Sequence, residues 1–224
     1  MKTSQTLNNF NNAAYAKPWR ASPINDYRVK KILSLVGTGN RVLDIGCYDG
    51  TIAKLIAAQG NQVVGIDIAK KAVHMARKNG IQAYVCNLEE DPFPKSLGTF
   101  DVIIAGEIIE HIFDPDALLN KLTKVLKPGG HLILTTPNLA SLGSRLSLLV
   151  GHLPWMIEND LLPGKSGHIR YFTYSELEKI LIRHSFSIAT FTTDSVGLNR
   201  ITFPSLDSIF PTLGRILIVK ARKV

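Results

Sequence analysis

Residues 41–67 read RVLDIGCYDGTIAKLIAAQGNQVVGID. The first five are a short apolar run, and 46–50 form a glycine-bearing turn. Residues 51–59 place Ile52, Leu55 and Ile56 on one helical face, and Gly60 stops the helix. A second apolar run, 62–66, ends at Asp67. Strand, helix and strand at this spacing predict two parallel strands joined by a right-handed crossover.

Outward from this unit the rhythm continues. Upstream, Val29, Ile32, Leu33 and Val36 predict a helix over 28–36, stopped by the GTGN of 37–40. Downstream come a helix over 69–79 closed by Gly80, a strand over 82–86 and a nearly all-apolar strand over 100–105. Asp114-Pro115 is a cap and first-turn proline for a helix that turns Leu118, Leu119, Leu122 and Leu126 inward. Pro128-Gly129-Gly130 is expected to end it before a strand over 131–136. A helix over 173–184 precedes two last strands, 186–191 and 215–220, read as an antiparallel hairpin-like edge. The expected fold is α/β: a Rossmann-like, doubly wound, mostly parallel seven-stranded sheet with helices on both faces. Residues 1–224 are read as a single domain, with 1–27 an N-terminal cap and 139–172 a lid or acceptor-binding insertion. That insertion carries Leu146, Leu148, Leu149, Val150, Leu153, Trp155 and Met156, so it either packs on the domain, lines an apolar acceptor pocket or touches a membrane surface beside Arg145.

The composition narrows the function. A chain of 224 residues, 45% hydrophobic, can bury a core without covalent staples. Two cysteines, Cys47 and Cys86, exclude a disulfide scaffold and point to the reducing cytosol. Residues 1–19 lack a secretory apolar core and no run of 18 apolar residues occurs, so neither a signal peptide nor a spanning helix is expected. Lys and Arg number 26 against 18 Asp and Glu, a net charge of +8 that suits anionic partners: nucleotides, RNA, phosphorylated metabolites or acidic lipid headgroups. The basic residues are dispersed, as on an ordinary solvated surface.

Ligands of such sheets bind beyond the carboxyl ends of the strands. There, Gly46 allows a tight turn beside a ligand and Gly50 opens the next helix. Asp67 ends the second strand at the offset of about 20 residues where an acidic side chain accepts from a ribose hydroxyl pair. The ligand therefore contains a nucleoside. The dinucleotide fingerprint is absent, since the loop reads Gly-x-x-x-Gly, and Asp44 would repel a pyrophosphate. A carboxylate there suits a cationic group such as an amino-acid ammonium. These two features argue against a nicotinamide oxidoreductase.

Together, VLDIGCYDG, VVGIDIA, NLEEDPFP, FDVIIAGEIIEHIFDP and LKPGGHLILTTPN resemble, in order over residues 41–138, the class I S-adenosylmethionine-dependent methyltransferases. The resemblance implies that Asp44 and Gly46, in the loop with Cys47 and Gly50, lie by the methionine part of the cofactor. It implies that Asp67 holds the ribose, that Ile68 lies against the adenine, and that Asn87 and Leu88 flank its edge. Tyr48 stands where many members have glycine, and Asn87 where aspartate is usual. The thiols of Cys47 and Cys86 read as buried filler.

The fourth strand runs into Glu107, Glu110 and His111, spaced i, i+3 and i+4. On a helical turn they project from one face, where two carboxylates and an imidazole call for a cation. Carboxylates suit Mg²⁺ or Mn²⁺, and the imidazole tilts the set towards Mn²⁺, Fe²⁺ or Zn²⁺. The pattern E-x-x-E-H with a distant His168 is similar to the ubiquinone-pathway O-methyltransferases and to the small-RNA 3′-end 2′-O-methyltransferases. In the latter the resemblance implies a metal held by Glu107, Glu110, His111 and His168. A metal-free alternative has His111 or His168 as the base that takes a hydroxyl proton. Arg170 is a candidate partner for an anionic acceptor. The expectation is an O-methyltransferase acting on a small hydroxylated acceptor, quinone-like, sugar or other metabolite. The alternatives are terminal 2′-O-methylation of RNA, without a clear RNA module in the sequence, and a non-catalytic cofactor-binding scaffold.

Overall fold

The computed structural model describes residues 26–158, 167–198, 201–203 and 206–224. The cap expected over 1–27 lies outside them apart from its last two residues, as does 159–166 of the lid. Strand β1 (Arg41–Ile45) pairs in parallel with β2 (Gln62–Asp67) on one side and β4 (Phe100–Gly106) on the other. β3 (Gln82–Val85) adds outside β2 and β5 (Leu126–Pro137) outside β4, both in parallel. β9 (Ile216–Lys223) runs antiparallel to β5, and β6 (Phe186–Thr193) antiparallel to β9. The seven-stranded order is β3-β2-β1-β4-β5-β9-β6.

Helices α1 (Tyr27–Val36) and α2 (Thr51–Ala58) cover one face, with α3 (Lys70–Lys78) beside them. Helices α4 (Pro115–Val125) and α6 (Tyr174–Arg183) cover the other. Alternation along the strands feeds both cores: Leu43, Ile45, Ile103 and Ala105 join the α4–α6 side, and Val42, Val102 and Ile104 join the α1–α2 side. Burial on both sides is why these strands read as unbroken apolar runs. The caps are local: Asp26 accepts from Arg28 N, Asp114 from Ala117 N behind Pro115, and Thr173 from Glu176 N. Each stabilises its helix by about 1 kcal/mol.

The structure corrects the sequence reading in the second half. Pro128-Gly129-Gly130 does not separate helix from strand; it lies inside β5, where Leu126 already pairs with Phe100. A register shift between Phe100 and Val102 accommodates those residues as a bulge. The last two strands form the expected antiparallel edge, with β6 outermost and β9 between it and β5. The connection holds a small antiparallel pair, β7 (Val196–Leu198) and β8 (Ile201–Phe203), that the sequence did not announce. Within the lid, α5 (Leu142–Leu149) is a short helix capped by Ser141, whose hydroxyl accepts from Ser144 N.

Candidate active site

The crevice opens above β1 and β2. The N–H groups of Gly46 and Cys47 both donate to Ile66 O, at 2.8 and 3.0 Å, and pull the loop onto β2. Gly46 has φ +72°, and a Cβ there would come 2.2 Å from Ile108 Cδ1. Tyr48 also sits in the left-handed region, at φ 51°, a conformation that glycine adopts at lower cost. Asp67 holds that conformation: one carboxylate oxygen accepts from Tyr48 N at 2.9 Å, the other from Ala69 N at 2.8 Å. Gly50 caps α2 with φ 77°. Thus the loop is shaped by its own backbone and by the acid that ends β2.

Asp44 is buried at the top of β1. Burial, then the charge of Asp67, raises its pKa to about 7, against a lowering by Arg28. Burial also raises Asp67, opposed by the backbone N–H groups it accepts from. Cys47 points elsewhere: its Sγ lies 2.6 Å from where a Cβ on Gly65 would be, among Ala53, Val73 and Ala76. Its thiol is core filler, and burial pushes the thiol pKa up. Only its backbone belongs to the loop. Ile68, Asn87 and Leu88 are half-buried beyond the ends of β2 and β3. Asn87 shapes its own turn, accepting from Glu89 N at 3.0 Å through Oδ1 and donating its N–H to Asp91 Oδ2 at 2.7 Å.

Two residues escaped the sequence reading. Lys121 of α4 drives its ammonium into the 87–91 turn, donating to Leu88 O at 2.6 Å and Asp91 O at 3.0 Å. Arg28, in the first turn of α1, stands among the crevice carboxylates: its charge lowers the pKa of Asp44, Glu107 and Glu110. Its guanidinium Nη1 is 3.5 Å from where a Cβ on Gly106 would lie. Neither has a sequence signal, because both are ordinary cations on amphipathic helices.

Beyond β4 the chain does not make the helical turn expected from Glu107. Glu107 has φ 56°, and a 3₁₀ turn, Ile109–His111, begins after it. Glu107 accepts from Thr135 Oγ1 at 2.8 Å, and the charge of Arg28 lowers its pKa against burial. Glu110, His111 and His168 do converge, each offering a ligand atom within 4.8 Å of the others. The two imidazole rings are 4.9 Å apart. His111 Nδ1 meets Gly167 O at 3.2 Å, and His168 Nδ1 meets Met156 O at 3.3 Å. Burial and the neighbouring His168 hold His111 down at about 4, so its ring is neutral at pH 7. Glu110 is 1% exposed; Thr136 Oγ1 donates to its Oε2 at 3.0 Å, while Oε1 is buried without a hydrogen-bond partner among the described residues. Burial and Glu107 push Glu110 well above the usual carboxylate range. Among the described residues, the group that could hold an ion comprises Glu110, His111 and His168.

Arg170 binds backbone carbonyls of the neighbouring turn. Its Nε donates to Ile112 O at 2.9 Å and a terminal nitrogen donates to Phe113 O.

The chain has clear relatives. A family model described as "Methyltransferase domain" matches residues 21–190. The ubiquinone biosynthesis O-methyltransferase of Aliivibrio fischeri (strain MJ11) is 32% identical over 166 residues, 70% of this chain and 69% of that protein. Its namesake in Chromobacterium violaceum is 30% identical over 169 residues, 73% of this chain and 71% of the relative. Among solved structures, magnesium protoporphyrin IX methyltransferase from Synechocystis PCC 6803, with bound SAH, has a TM-score of 0.67 at 17% identity, over 99% of this chain and 100% of that one. The N-methyltransferase NodS from Bradyrhizobium japonicum WM9 has a TM-score of 0.64 at 18% identity, over 100% and 99%. These two likenesses establish the fold. The chain belongs to the class I S-adenosylmethionine-dependent methyltransferases.

Proposed function

We propose that the protein moves a methyl group from S-adenosylmethionine to an oxygen of a small hydroxylated acceptor, quinone-like, sugar or other metabolite. The convergence of Glu110, His111 and His168 at the carboxyl edge of the sheet carries this reading. The names of the relatives, ubiquinone biosynthesis O-methyltransferases, support oxygen as the target.

In this reading Asp44 receives the cofactor's ammonium and Arg28 its carboxylate. Asp67 keeps its two backbone bonds and accepts from the ribose hydroxyls with its remaining lone pairs. Ile68, Asn87 and Leu88 bound the adenine. The sulfonium is already an activated donor, so alignment supplies much of the rate. The acceptor hydroxyl must lose a proton, and either His168 or the neutral ring of His111 takes it. One carboxylate and two imidazoles, with a bare buried oxygen on Glu110, also fit a divalent ion of the Mn²⁺ type better than Mg²⁺. Such an ion, when bound, would lower the pKa of the hydroxyl.

No helix among the described residues is long and apolar enough to cross a membrane. The whole chain is read as one catalytic unit, with the 139–172 segment over the acceptor. Leu149, Val150, Leu153 and Trp155 are exposed on that segment and suit an acceptor with an apolar tail or shallow lipid contact. The test is transfer of labelled methyl from the cofactor to catechols, sugars, amines and carbon acids, each with and without EDTA and added Mn²⁺. A methyl ether is the expected product. Transfer only to nitrogen or carbon overturns the oxygen reading, and indifference to EDTA and Mn²⁺ removes the ion.

A further inference from the structure

The two histidines of the reaction centre come from segments far apart in sequence, and neither segment is long enough to hold itself in place. His111 ends a three-residue 3₁₀ turn. His168 sits on an irregular stretch whose Phe172 forms an isolated bridge with Asn138, just past β5, and accepts from Leu139 N at 2.9 Å. Beside the contact of His111 Nδ1 with Gly167 O, Arg170 ties the two segments together through backbone and side chain. The N–H groups of Ile169 and Arg170 both donate to Glu110 O, at 3.0 Å each. The Arg170 side chain then spans the next carbonyls of the same turn, Nε to Ile112 O and a terminal nitrogen to Phe113 O. The guanidinium also lies 5.9 Å from the centre of the Phe113 ring.

From this geometry we infer that Arg170 is the positioning residue of the reaction centre: it clamps the strand of His168 against the turn of Glu110 and His111. This rests on the reading of those residues as the place of methyl transfer. The planar guanidinium presents its donors at a fixed spacing to the two successive carbonyls, whereas a lysine ammonium is a point charge that lacks this rigid fork. Carbonyls at the end of a short turn lack intrahelical donors, so a cation there satisfies groups that water would otherwise compete for. Arg170 touches no reacting atom in this scheme. It acts by keeping two rings in register, and a misplacement of about 1 Å can cost roughly 10²-fold in rate.

The test compares wild type, Arg170→Ala, Arg170→Lys and His168→Ala. Hydrogen exchange is read in peptides covering 109–113 and 167–172, and cofactor Kd by calorimetry. Methyl transfer is read with 3,4-dihydroxybenzoate as the probe acceptor. In Arg170→Ala, exchange at 167–172 should accelerate by about tenfold or more, with cofactor Kd within about twofold. The kcat should fall by about tenfold or more with acceptor KM little changed, as expected for lost alignment. Arg170→Lys should fall between the two, which guards against a variant that fails to fold. Unchanged exchange at 167–172 overturns the clamp, and accelerated exchange with intact kcat overturns its positioning role. Full activity in His168→Ala, or no transfer by wild type, strikes at the reading of the reaction centre instead. The exchange arm still decides whether Arg170 clamps the strand.

Discussion

Asp44 carries the strongest residue-scale consequence. Its pKa of about 7 in the folded, cofactor-free protein means that half its charge is absent near neutrality. A cationic ammonium binds the ionised form, so affinity for S-adenosylmethionine should rise from pH 6 to 8 and level off above. Asp44→Asn should weaken binding by tenfold or more, on the order of the 1.5–3 kcal/mol of a charged hydrogen bond, and flatten that slope. Calorimetry across pH checks both. Tyr48 offers a second test. At φ 51° a β-branched side chain is more strained than tyrosine, whereas asparagine tolerates the region. Tyr48→Val should lose about 1–2 kcal/mol of stability in denaturant titrations, and Tyr48→Asn less.

At the scale of elements, the 87–91 turn shows how a helix supports a loop it does not contain. Lys121→Met removes the ammonium that draws the turn's carbonyls together. It should raise the KM for the cofactor several-fold with little change in kcat, as initial-rate kinetics would show. The first half of the fold was legible because each element there is punctuated locally. Gly60 and Gly80 stop helices, Asp114-Pro115 starts one, and β1 through β4 fall within a residue or so of the expected limits. The second half was not, because its order depends on distant partners. Nothing in 186–191 or 215–220 says that β9 slides between β5 and β6; that choice belongs to the sheet as a whole. The same division holds in the site. The ligand atoms of Glu110, His111 and His168 lie within 4.8 Å of one another, whereas Glu107, left-handed at φ 56°, interrupts the helical i, i+3, i+4 spacing that the sequence suggested. Arg28 and Lys121 act through positions in space that no periodicity encodes.

For the whole molecule, burying Asp44 ties stability to pH. Its pKa is raised from 3.8 to about 7, so its contribution is fully present below 3.8 and is lost as pH rises through 7. The cofactor-free protein should therefore lose part of its melting temperature between pH 5 and 8, less so in Asp44→Asn. Saturating S-adenosylhomocysteine adds about 2.7 kcal/mol at 100-fold excess over Kd, and its shift should grow over the same range. Thermal melts with and without the ligand test the sign. The packing of Cys47 beneath Gly65 has a practical corollary. Both sulfhydryls are walled in, at 4% and 2% accessibility, so neither Ellman's reagent nor mild peroxide should reach them in the native protein. Labelling must then wait for the domain to open, and its rate becomes a clock for how often the interior is laid bare.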